Sequence, residues 1–195
     1  MRNILKNRLA LSTVVTTLII LVVSVLLAGV VTYFAINVTS TRVQEEDLAL
    51  TKQHVWYAAD ATTGQNASLA AILVINTGGR DVEISKITIR GQSIDAAAHV
   101  YYNVTSGSVT KDLAFLTTIT SGTTAPSINS NAADASTLTL GVNSLTLQSG
   151  KSMIIYITSP DSITINDIGL TVAITVFTSQ AMYYKETNVQ VASAN

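Results

Sequence analysis

The chain has 195 residues, of which 12% are charged and 48% hydrophobic, and its formal net charge is −1. That length holds one membrane segment and one globular domain of about 140 residues, and the apolar balance excludes a disordered protein. The absence of cysteine excludes disulfide stapling, thiolate zinc sites and a cysteine nucleophile.

Arg2, Lys6 and Arg8 open the chain, and no further charge follows until Arg42. The 28 residues from Leu11 to Val38 are uncharged. As a helix they extend roughly 42 Å, more than the roughly 30 Å hydrocarbon core of a bilayer. Val, Ile, Leu and Thr dominate, so every face is apolar and the helix belongs in lipid or inside a bundle. Gly29 offers a point of close approach for a neighbouring helix. The run is about twice the length of a secretory h-region, which disfavours ordinary signal-peptide processing. The basic leader stays cytoplasmic by the positive-inside rule and the C-terminal domain lies outside, because Arg42 is outweighed by Glu45, Glu46 and Asp47. Without the leader, eight basic residues face twelve acidic ones, a balance of −4. That sign argues against a nucleic-acid partner.

Beyond Val38, the residues Val43, Leu48, Leu50, Val55 and Trp56 alternate irregularly with Arg42, Gln44, Glu45, Glu46, Asp47 and Lys52, and no Pro or Gly occurs in residues 30–63. This pattern predicts one continuous helix from Leu11 to about Val55, roughly 65 Å long. Trp56 and Tyr57 then pack where the helix meets the globular part. The expected organisation is a leader at 1–10, a long helix at 11–56 and a β-domain at 57–195. The acidic trio 45–47 is expected as a solvated helix face.

The stretch Arg8-Leu9-Ala10-Leu11-Ser12-Thr13-Val14-Val15, followed by an uninterrupted apolar helix, resembles the class III signal peptide of archaeal type IV pilins and archaellins. In that family a membrane aspartyl peptidase cuts on the cytoplasmic side after a basic residue and Gly or Ala. The resemblance makes Arg8 and Ala10 the recognition residues and Leu11 the new N-terminus, with Leu9 standing between Arg8 and Ala10 where the family has them adjacent. Val15 occupies mature position five, where bacterial type IV pilins commonly carry Glu. The resemblance further implies a homopolymeric helical filament, and an assembly ATPase and a polytopic membrane platform as partners.

After a polar break at Asp60 to Gln65 the apolar runs become short and alternate with a period of two. Strands are predicted at 68–76, 82–90, 99–104, 113–120, 137–147, 152–158, 168–178 and 183–191. Thr77-Gly78-Gly79-Arg80-Asp81 reads as a hairpin turn. The fold class is therefore α+β: a long N-terminal helix, then an all-β, immunoglobulin-like sandwich. The run Asn76 to Gly91 also looks like the start of archaeal pilin and archaellin β-domains. Residues 121–136, with Pro126, read as an exposed loop.

Sequons occur at Asn37, Asn66 and Asn103. Asn66, in a predicted surface connection, and Asn103 are the expected N-glycan acceptors, and Asn37, on the apolar helix and expected to be buried, is the weakest of the three. No catalytic, metal or cofactor constellation emerges. Gly150-Lys151-Ser152 lacks the earlier glycine of a phosphate loop, because position 145 is Leu145. His54 and His99 have no paired acidic spacing, and Asp161 and Asp167 lack a calcium-loop pattern. No enzyme is expected. The expected role is a structural subunit of an adhesive surface filament, its precursor held in the cytoplasmic membrane with the N-terminus inside. The alternatives are a swimming filament of the archaellin kind and an unprocessed single-span anchor carrying an extracellular binding domain.

Overall fold

The computed structural model describes residues 2–43, 45–106, 109–124 and 137–192. The chain divides into two compact units, Met1–Gln44 and Glu45–Asn195. The first is a single helix, α1 (Arg2–Val43). The described residues of the second form ten strands: β1 (Leu48–Tyr57), β2 (Ser68–Asn76), β3 (Val82–Ile89), β4 (Gln92–Ser93), β5 (Val100–Thr105), β6 (Thr139–Leu140), β7 (Leu145–Leu147), β8 (Ser152–Thr158), β9 (Thr171–Thr178) and β10 (Met182–Val191). One short helix, α2 (Ala96–His99), is capped by the Asp95 carboxylate, which accepts from the Ala97 N–H. The fold class is the expected one, a long N-terminal helix followed by a β-sandwich.

One layer runs β10-β1-β2-β8-β5-β6 and the other β4-β3-β9-β10, with β7 added to β3. β10 joins the two layers, pairing antiparallel with β9 along most of its length and parallel with β1 at its end. The inner faces enclose the main core, which includes Leu50, Ile72, Val74, Ile84, Ile89, Ile155, Ile157, Ile174 and Val176. A second apolar cluster covers the other face of the first layer. There Trp56, Leu69, Leu73, Ile154 and Tyr156 meet Leu113, Ile119 and Leu138. β2 and β8 are thus buried on both faces, which is why their sequences are continuous apolar runs without alternation.

The expected helix from Leu11 to Val55 is not found. α1 ends at Val43 and the next ten-residue element is strand β1. The unit boundary therefore falls between residues 44 and 45 and not between 56 and 57. Thr39, Ser40 and Thr41 propagate a helix weakly, and Glu45, Glu46 and Asp47 oppose the negative end of its dipole. A β-bulge hides the period-two signal of β1. Pairing with β2 shifts register between Thr51 and His54, where Lys52 adopts a φ of 52°. Before the shift Leu48 and Leu50 face the inner core; after it Val55 does, while Trp56 turns to the outer cluster. An inserted residue reverses parity, so the alternation of the two halves is out of phase.

Three further expectations are corrected. Residues 77–81 do not close a hairpin, because β2 pairs with β1 and β8 while β3 lies in the other layer. Residues 113–120 form no strand. They cross the outer face of the first layer as an irregular strap whose backbone is bonded by side chains: Tyr156 Oη donates to Ala114 O at 3.1 Å and Asn66 Nδ2 to Leu116 O at 3.2 Å. The predicted strand 137–147 divides at Gly141 into β6 and β7, one in each layer. A Cβ on Gly141 would stand 2.7 Å from Ala96 O, so only glycine passes that crossing. The loop expected at 121–136 lies, beyond residue 124, outside the described residues.

Asp167 fastens the corner between β8 and β9. Its Oδ2 accepts from the Thr164 hydroxyl at 2.7 Å and the Thr164 N–H at 2.8 Å, and its Oδ1 accepts from Arg90. The bonds from Thr164, then the Arg90 guanidinium, hold this carboxyl below its ordinary 3.8. A depressed folded-state value contributes stability above about pH 4 that is lost as pH falls through the lowered value. Melting temperature between pH 7 and pH 2 should therefore fall further for the parent than for Asp167→Asn, whose melting at pH 7 is already lower.

Candidate functional site: the apolar helix and its junction

Residues Leu11–Thr41 form a segment of 31 residues that is long and apolar enough to cross a membrane. Every residue of that segment is exposed, among them eighteen large apolar side chains from Leu11 at 67% to Val38 at 60%. Five of its hydroxyls bond back to the helix's own carbonyls. Thr16 donates to Ser12 O at 2.8 Å, Ser24 to Ile20 O at 2.6 Å, Thr32 to Ala28 O at 2.8 Å and Thr41 to Asn37 O at 2.9 Å, each one turn back, while Thr17 donates to Val14 O at 2.9 Å. These five hydroxyls, like the helical backbone, are thus satisfied inside the helix, as residence in an apolar medium requires. Around Gly29 a Cβ would meet nothing within 4 Å.

The three processing residues share the helical backbone. Arg8 and Ala10 lie within α1, although their side chains fall outside the described residues, and Leu11 is exposed.

The acidic trio is not a solvated helix face but the sewn entry to β1. Asp47 O accepts from the Thr77 N–H at 3.0 Å and the Gly78 N–H at 3.1 Å, and Asp47 Oδ2 accepts from the Thr77 hydroxyl at 2.7 Å. Glu46 Oε1 accepts from the Thr178 hydroxyl, and Glu46 O accepts from Tyr183 Oη at 3.3 Å. Burial, then the nearby Glu46 and Asp47 charges, push the Tyr183 phenol upward, so it stays a donor. Gly78 serves close approach and not a hairpin φ, since a Cβ there would stand 2.7 Å from both Asp47 N and Glu45 O. We expect Gly78→Ala to destabilise the chain by about 1–3 kcal/mol in denaturant titration, because both obstructing atoms are backbone.

Of the sequons, Asn66 is placed otherwise than expected, while Asn103 and Asn37 lie on the strand and the helix where the sequence puts them. Asn66 is buried at 9% exposure, with Nδ2 bonded to Leu116 O and its own N–H to Thr117 O, and Ser68 of the same sequon is buried in β2. Asn103 lies on β5 with Nδ2 donating to Thr137 O at 3.0 Å. Asn37 is exposed but sits within the apolar segment. In the folded chain neither domain sequon offers a free amide. Mass spectrometry of the mature protein should find the Asn66 and Asn103 peptides at their unmodified masses.

The remaining motifs are structural. Gly150 lies in the turn before β8, with its N–H on Asn76 O at 3.1 Å. His54 stacks on Trp56 at 5.0 Å between centroids, and its Nε2 meets Asp112 Oδ1 at 3.0 Å. Burial raises the Asp112 carboxyl, but the bonds from His54 and the Leu113 N–H hold it below 3.8 overall. Trp56 is a packing residue, but on β1 in the outer cluster and not at the end of the helix as expected, and Phe115 meets it edge-on at 6.1 Å. Burial pushes Tyr156 up to about 12, keeping it a donor to the strap. Among the described residues no three His, Asp or Glu side chains gather as a metal site. A groove of about 260 Å3 beside β3 has Lys86 and Asp95 as its charged lining, but Lys86 covers the Phe177 ring at 5.5 Å and Asp95 caps α2.

No family model matches the chain, and no curated protein matches it. Among solved structures, the ligand binding region of serine-glutamate repeat protein A of Enterococcus faecium aligns with 14% identity over 76% of this chain and 99% of that one. Its TM-score is 0.30, at which the likeness carries no argument.

Proposed function

We propose that the chain is the structural subunit of an extracellular type IV pilus-like filament, polymerising through α1 and serving adhesion. The observation that supports this is the apolar helix. Its eighteen exposed large apolar side chains are worth on the order of 30 to 50 kcal/mol against exposure to water, at roughly 1.5 to 3 each. The helix therefore passes from lipid directly into a bundle of like helices, with β-domains outside. The leader resemblance at Arg8, Ala10 and Leu11 supplies the step that releases it: removal of the basic segment turns a membrane anchor into an assembly element. By the same resemblance a leader peptidase, an assembly ATPase and a membrane platform are its partners, and a swimming filament is the variant within the class.

A second reading has its own observation. The end of α1 at Val43, with β1 beginning at Leu48, removes the long helical extension that sets a filament subunit apart from a single-span anchor. An unprocessed membrane-anchored extracellular domain has the same topology.

N-terminal sequencing of the protein recovered from sheared surface material separates the two. A terminus at Leu11 in filaments is the expected result; intact Met1 confined to the membrane fraction sinks the filament reading. In parallel, Ala10→Asp should leave the precursor in membranes at its unprocessed mass.

A further inference from the structure

β1 and β10 are the one parallel pair among the described strands, with register Val55↔Val189, Trp56↔Gln190 and Tyr57↔Val191. Side chains lengthen that contact upstream of the ladder. Gln53 Nε2 donates to Glu186 O at 3.3 Å and the Thr187 hydroxyl donates to Gln53 O at 3.3 Å. Downstream, the Ala192 N–H donates to Tyr57 O at 3.0 Å. The other edge of β1 is braced along eight register pairs by β2, from Leu48↔Asn76 to Tyr57↔Ser68. The chain reaches β1 from α1 through residues 44–47 alone, and Glu46 and Asp47 are tied to Thr178, Tyr183, Thr77 and Gly78.

The geometry fixes how this pair meets tension. In a parallel pair the N-terminal end of one strand and the C-terminal end of the other lie at opposite ends of the ladder. Tension between α1 and the segment beyond Ala192 slides β1 along β10 and loads all their bonds together. Tension between the two C-terminal ends opens the bonds one after another. We propose that the β-domain is a load-bearing coupling in which tension delivered through the immobilised helix is carried as shear along β1 and β10. The partner it requires is whatever apolar medium holds α1, bilayer or helix bundle. The proposal thus rests on the anchoring part of the functional reading and not on polymerisation.

The test is single-molecule force spectroscopy on the full chain in lipid nanodiscs. Because the chain has no cysteine, introduced pairs are unique attachment points. Ser40→Cys with Ser193→Cys loads the pair in shear, whereas Thr63→Cys with Ser193→Cys pulls just beyond the end of β1 and opens it. The shear pair should unfold at no less than about twice the force of the opening pair, since forced unfolding reports the unfolding barrier along the loaded direction. Equal forces, or the reverse order, overturn the proposal. Thr187→Val, which removes one bond between the strands, should lower the force in shear and leave the opening geometry unchanged. A loss of the same size in both geometries also counts against it. Failure here leaves the filament reading standing, because N-terminal sequencing decides that separately.

Discussion

Pairing of β1 on both of its edges is the constraint on which the rest of the β-domain depends. β2 brackets it on one side and β10 on the other, so the first strand after the helix is interior to its layer and the last strand closes the sandwich against it. The bulge at Lys52 lets one strand serve both apolar clusters, giving Leu48 and Leu50 to the inner core and Trp56 to the outer one. The carboxylates of Glu46 and Asp47 then find hydroxyl donors on β9 and the turn after β2, and their backbone carbonyls find donors in the Tyr183 hydroxyl of β10 and the Thr77 and Gly78 N–H groups. An entry segment with those bonds is part of the domain, not a linker to it.

α1 obeys a different solvent. Between Leu11 and Thr41 its surface is uncharged and mostly apolar, and five of its hydroxyls are closed onto the helix backbone. The same chain thus contains a unit that folds by burying apolar surface against itself and a unit whose apolar surface is left exposed. That division makes an interaction through the helix the economical reading of function.

Much of this is legible in the sequence, and the failures have physical causes. The long helix, β2 and β8 are plain because unbroken apolar runs of different length separate a span from a buried strand. β1 reads as helix because its bulge puts Leu50 and Val55 five apart and breaks the alternation, while the absence of Pro and Gly removes every stop signal. Thr77 to Asp81 looks like a hairpin because glycine serves tight turns, yet Gly78 is required by the backbone of residues 45 and 47, a contact over thirty residues that local pattern does not carry. Asn66 reads as a surface residue for a similar reason. It sits in a polar connection, and only the strap, which supplies acceptors from Leu116 and Thr117, reveals why it is buried. Leu113 to Ile119 has the composition of a strand but finds side-chain partners for its backbone in place of a ladder.

The outermost strands of the series, β4 and β6, are two residues long. When domains are held side by side by a shared support, their effective concentration reaches the millimolar range. A long bare edge under that crowding is a template for coalescence through strand addition. Among the described residues, two-residue margins give a neighbouring strand almost no ladder to extend.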